Sequence, residues 1–174
     1  MVLYFVIGAL SVGRATGKDA VFPTVSGNNL NGHAVEIPRD LSGRVNLVLV
    51  AFTREQQKEV NSWLPFIAEM THRFPDLRAY ELPTLGRPFV LLRGYLDAIM
   101  RTGIPDPQTR ETTVTLFLDK REFDRALQIS SERAIAVFLV TPSGEVLWRT
   151  TGPCDPAKSN ELATIISAEP AAER

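Results

Sequence analysis

The stretch Val45–Phe52 (VNLVLVAF) constrains the fold more than any other part of the chain. Its side chains leave neither side of a strand suited to water, so it belongs at the centre of a sheet covered on both faces. The next twenty residues supply one cover. Thr53-Arg54-Glu55-Gln56 has the spacing of a capping box. Beyond it Val60, Trp63, Leu64, Ile67, Met70 and Phe74 recur at helical intervals, with Pro65 expected to kink the helix and Pro75 to end it. Upstream, Phe22-Pro23-Thr24-Val25, the Asn/Gly-rich turn to Gly32, and alternating Val35 and Ile37 predict a short hairpin. Downstream the pattern predicts strands over Leu77–Leu82 and Thr112–Leu118. It predicts helices over Phe89–Arg101 and Glu122–Ile129. A hairpin of Ala134–Val140 with Glu145–Arg149 comes next, then a last helix over Pro156–Ser167. Helices between early strands and a late hairpin describe an α/β architecture: a central mixed sheet flanked by helices, with an N-terminal β-hairpin extension.

Composition removes several functional classes. One cysteine, Cys154, cannot form an intrachain disulfide. Two histidines, His33 and His72, are too few and too far apart for a histidine-based metal site. A formal net charge of -1 gives no reason to expect nucleic acid as a partner. No Ser/His/Asp set, Gly-rich phosphate loop or metal-ligand cluster stands out, so neither a cofactor nor a metal is expected. The apolar run Val2–Leu10, followed by Arg14 and the small residues Ala15-Thr16-Gly17, suits a signal peptide or a membrane anchor over residues 1–17. The alternative is a buried N-terminal strand built on Tyr4–Ile7. Residues 18–168 then form the folded domain and 169–174 a frayed tail.

The order of elements, the opening Phe22-Pro23…Leu30-Asn31-Gly32…Val35-Glu36-Ile37…Leu41-Ser42-Gly43-Arg44, and the strand ending in Phe52 resemble the thioredoxin-like superfamily. The likeness is to its TlpA and peroxiredoxin-like branch, and it runs from Phe22 to Ile166. It implies a thioredoxin-like fold for residues 18–168. In that family a CxxC helix follows the strand, with a proline several residues on. Aligned from Phe52 to Pro65, the two cysteines fall at Gln57 and Val60. The family's cis-proline, counted back from Phe138, falls at Ile135, where a non-proline cis bond would cost about 3 kcal/mol and a trans bond is expected. Both parts of the redox apparatus are thus replaced. A looser resemblance, carried by Phe138-Leu139-Val140, Gly144, Val146-Leu147-Trp148-Arg149 and Gly152, is to the mitochondrial ATP synthase assembly-factor family (ATPase complex subunit ten). That family lacks CxxC and chaperones a membrane subunit.

The resemblance implies a non-catalytic protein that binds another protein as an assembly factor, exported or membrane-associated; a cytoplasmic location is the alternative. Arg54, Glu55 and Gln57 stand where the family keeps its active-site loop. They offer an interaction surface to which Trp148 would add an anchor; in the simpler reading they are a solvated helical turn and Trp63 and Trp148 are core residues. The rival function is a degenerate one-cysteine redoxin or peroxidase using Cys154, which lies just ahead of the last helix, where a thiol's pKa can be depressed.

Overall fold

A computed structural model of the chain describes residues 20–169. The segment 1–17, expected to be a signal peptide, an anchor or a strand, lies outside them, as does the tail beyond Glu169. Seven strands form one mixed sheet in the order β2-β1-β5-β4-β3-β6-β7. They are β1 (Val25–Asn29), β2 (Ala34–Ile37), β3 (Val45–Ala51), β4 (Leu77–Gly86), β5 (Val114–Leu118), β6 (Ala136–Val140) and β7 (Val146–Thr151). β3, β4 and β5 run parallel; β6 pairs antiparallel with β3 and β7. The N-terminal hairpin β1–β2 joins the sheet through an antiparallel contact of β1 with β5. The helices are α1 (Gln57–Arg73), α2 (Arg93–Gly103), α3 (Pro107–Thr112), α4 (Lys120–Ala126) and α5 (Pro156–Ala168).

Every residue of β3 is buried, and the strand divides its side chains between two cores, as period-two geometry requires. Val48 and Val50 join Phe22, Leu82, Phe123, Leu127 and Phe138 on the face covered by α4. Leu47, Leu49 and Ala51 join Val60, Trp63, Met70, Trp148, Leu162 and Ile166 on the face covered by α1 and α5. This face holds the two largest buried side chains: the rings of Trp63 and Trp148 meet edge to face, centroids 6.3 Å apart. The Trp63 indole N–H donates to Gly152 O at 3.1 Å. On the other face Phe22 packs edge-on to both Phe123 and Phe138.

Several expected boundaries shift. α1 runs through Pro65: the ring is exposed, and the carbonyl it leaves unpartnered belongs to the exposed Asn61, so water satisfies it. Leu64 leaves the apolar stripe and is half exposed. β4 extends to Gly86, beyond the expected end at Leu82, because Thr84–Gly86 pair with β5. The helix expected from Phe89 begins as a 3-10 turn over Arg87–Leu92 and becomes α-helical at Arg93. α3 has no counterpart in the expected pattern; Asp106 caps it by accepting from the Thr109 N–H, and Pro107 fills its first position. α4 starts at Lys120, ahead of the expected Glu122, because Asp119 caps it.

Candidate functional site

In open α/β sheets, ligand chemistry collects beyond the C-terminal ends of the parallel strands. Here that edge is formed by the chain after β3, the start of α1, and the segment leading into β6. Phe52 and Thr53 leave β3, Arg54–Gln56 make a 3-10 turn, and α1 begins at Gln57. Gln56 is the hinge of this turn and is 4% exposed. Its Oε1 accepts from the N–H groups of Phe52 at 2.8 Å and Thr53 at 3.3 Å, while its Nε2 donates to Glu132 O at 2.8 Å. One buried amide thereby ties the exit of β3 to the segment before β6.

The positions singled out by the resemblance separate. Val60 and Ile135 are buried together in the α1/α5-side core. Gln57 faces solvent and donates to Asn61 Oδ1 at 3.2 Å, within α1. The peptide bond before Ile135 is trans. Both of its backbone groups are engaged: Ile135 N–H donates to the Glu59 carboxylate at 3.1 Å, and its carbonyl accepts from Gly152 N–H at 2.8 Å. A proline would have no N–H to tie down; Ile135 has one, and Glu59 on α1 reaches across to hold it.

Arg54 and Glu55 are exposed, as a recognition surface or a solvated turn would both require. The Glu55 carboxyl is held below the usual range by its own backbone N–H and by the Thr53 hydroxyl. The expectation of Trp148 as a surface anchor is wrong: the residue is 2% exposed, packed on Trp63, and offers no surface. The reason is its register on β7 opposite Leu139, which turns the ring into the α1/α5 core. Cys154 is half-buried, its N–H donating to Ser62 Oγ at 2.9 Å in the second turn of α1. Burial, and then the charge of Asp155, push its thiol pKa up, not down. The helix-start effect invoked for it goes instead to Asp155, which accepts from Lys158 N–H and caps α5.

Charged groups that sequence reasoning missed line the same edge. Lys120 Nζ contacts Glu132 Oε2 at 2.6 Å and sits 5.4 Å from the Phe52 ring centroid. Asp124 is raised to about 6, first by burial and then by the charge of Glu132. Glu81, on β4 beside β3, is pushed up by burial, opposed in part by the neighbouring Gln57 amide. Glu81 carried a signal, a carboxylate inside a central parallel strand. Glu59 and Glu132 carried none, because Glu59 acts on the backbone of Ile135 and Glu132 meets Gln56 through its carbonyl and Lys120 through its carboxylate, contacts that no local pattern joins.

No family model matches the chain, and no curated protein matches it. Solved structures do. The thioredoxin domain of a thiol-disulfide oxidoreductase from Bacteroides vulgatus is similar at a TM-score of 0.57 and 20% identity, over 87% of this chain and 97% of that one. BsSco, a member of the Sco family of cytochrome c oxidase assembly proteins, is similar at 0.60 and 14%, over 86% and 93%. StoA from Bacillus subtilis is similar at 0.52 and 14%, over 84% and 98%. At these identities the likeness establishes the fold: the chain has the thioredoxin-like fold.

Proposed function

We propose that this chain works without thiol-disulfide exchange, as a thioredoxin-fold protein that binds another protein as an assembly factor, exported or membrane-associated. The observation that carries the reading is the Glu59–Ile135 contact. Exchange requires an attacking thiolate, a resolving thiol and a groove open to the substrate. Here Gln57 and Val60 supply no sulfur. The backbone of Ile135, where the superfamily shapes that groove, is engaged by Glu59 and Gly152. Glu59 thereby fastens α1 to the segment entering β6 across this edge. BsSco, a member of a family of assembly proteins, gives a precedent for an assembly role on this fold, although it carries a disulfide switch, which one cysteine cannot form within a chain. The apolar run Val2–Leu10 supports the membrane location.

A one-cysteine enzyme would need Cys154 as a thiolate. Its half-burial and its raised pKa weigh against that. The purified chain is expected to show no insulin-reductase or peroxidase turnover above buffer, and Cys154→Ala is expected to capture the same partner from source-cell membranes as the unmodified chain. Turnover that disappears in Cys154→Ala would replace this reading with the one-cysteine enzyme. A reporter active only outside the cytoplasm, fused after Asp19, tests the location; a silent fusion counts against export.

A further inference from the structure

The segment after β4 reverses the usual arrangement of a surface helix. An amphipathic helix ordinarily turns its apolar stripe to the core and its charges to water. In α2 the side toward the sheet carries charge. Arg93 Nη1 donates to Asn28 Oδ1 at 3.1 Å and its guanidinium lies 5.1 Å from the Phe117 ring centroid. Arg101 Nε donates to Leu30 O at 2.7 Å, and Asp97 Oδ1 is buried. Leu96 and Met100 are half-buried, and the other large apolar residues point outward. Leu91 is 90% exposed and Tyr95 68%; Phe89, Val90, Leu92 and Ile99 are each about half exposed, and α2 buries no residue.

We infer that this outward face, Phe89–Leu92 with Tyr95 and Ile99, is the two-fold interface of a homodimer in which two copies of the 3-10 turn and the α2 helix that continues it pack antiparallel. Three features favour a second copy of this chain. The six side chains expose roughly 600 Å², close to the ~800 Å² per partner of a standard interface and at the upper end of what a monomer leaves bare. The six side chains carry no charge, and Arg93 and Arg101 bond inward to Asn28 Oδ1 and Leu30 O, so two identical copies meet without like-charge repulsion. The pattern is also self-complementary, as an isologous contact demands. With Tyr95 at the axis, Leu91 of one copy meets Ile99 of the other, four residues to either side. Arg87 then falls near Gly103 of the opposite copy, where the α2 C-terminal carbonyls favour a cation. A lipid surface fits less well: the guanidiniums that would meet anionic headgroups are used within the fold, leaving Arg87.

The test uses the full chain carrying Cys154→Ser. Sedimentation is expected to show a dimer at tens of micromolar. Leu91→Arg, at a site too exposed to affect folding, is expected to weaken it about a hundredfold with an unchanged circular dichroism spectrum. Under diamide, Tyr95→Cys is expected to cross-link to itself, and Leu91→Cys to cross-link with Ile99→Cys when the two are mixed. Val21→Cys, equally exposed beside Glu145 at the β6–β7 turn, is expected to remain uncoupled. A monomer throughout the concentration range overturns the inference. So does a dimer indifferent to Leu91→Arg, which would place the contact elsewhere. Binding of a monomeric chain to phosphatidylserine vesicles that is lost in Leu91→Arg also overturns it, and would make lipid the occupant.

Discussion

Glu59→Ala tests the contact on which the functional reading rests. Ile135 is fully buried, and its N–H has the Glu59 carboxylate as its acceptor. Truncation removes a hydrogen bond to a charged group and leaves a buried donor without a partner; each effect falls within about 1–3 kcal/mol, and they describe one loss seen from two sides. The 3.1 Å length is longer than strong charge-assisted bonds, and Glu59 is only half-buried, so water can partly replace it. The expected cost is therefore about 2 kcal/mol. For a domain of this size that lowers the melting temperature by roughly 4–8 °C. Glu59→Gln keeps a neutral acceptor in place and is expected to cost less than about 1 kcal/mol. Lys58→Ala, one residue away and exposed, serves as the control and is expected to stay within about 0.5 kcal/mol. The assay is urea unfolding at pH 7 followed by tryptophan fluorescence, since Trp63 and Trp148 sit in the core this contact borders. Glu59→Ala indistinguishable from Lys58→Ala would show that the contact does not fasten α1 to the segment entering β6, and the argument from Ile135 would fail. Insulin turnover is expected to stay absent in all three variants, because loosening this contact supplies no thiol.

The core and its carboxyls offer three further perturbations. Glu81 is held protonated above its ordinary value of 4.5 by burial, so the folded state binds that proton more tightly than the unfolded chain. Its contribution is lost as pH rises through the folded value, and Glu81→Gln is expected to raise the urea midpoint at pH 7 but not at pH 4; a lower midpoint at pH 7 contradicts the sign. Asp124, raised from 3.8 to about 6, acts in the same direction between those values. Asp124→Asn is expected to flatten the fall in stability from about pH 4 to about pH 6, and carboxyl NMR to show a titration near pH 6 that disappears in the variant. Val50→Asp places an unpaired charge at a fully buried position of β3, and is expected to cost more than about 4 kcal/mol and abolish the cooperative transition seen by circular dichroism.

The architecture was legible in the residues alone. Val45–Phe52 could only be an interior strand, the 3.6-residue period of Val60, Trp63 and Met70 could only be a helix packed on it, and the order of the remaining elements left an α/β sheet ending in a hairpin. The resemblance also assigned the family's redox positions to Gln57, Val60 and Ile135, an assignment that needs residue identities and no coordinates. Local chemistry set most boundaries within a few residues; it misplaced those where a pairing partner decided the matter, as β5 does in carrying β4 on to Gly86. The fate of individual side chains depended on long-range packing. Trp148 could have been an anchor or a core residue until the register of β7 against β6 turned it inward. Glu59, 76 residues from Ile135, and Gln56, 76 from Glu132, join groups that no local pattern connects. For α2 a helix over Phe89–Arg101 was legible, yet which side of an amphipathic helix meets the sheet depends on what the sheet presents. Asn28 Oδ1 and Leu30 O are acceptors at the edge where α2 docks, and they draw in Arg93 and Arg101, leaving an apolar side to face outward.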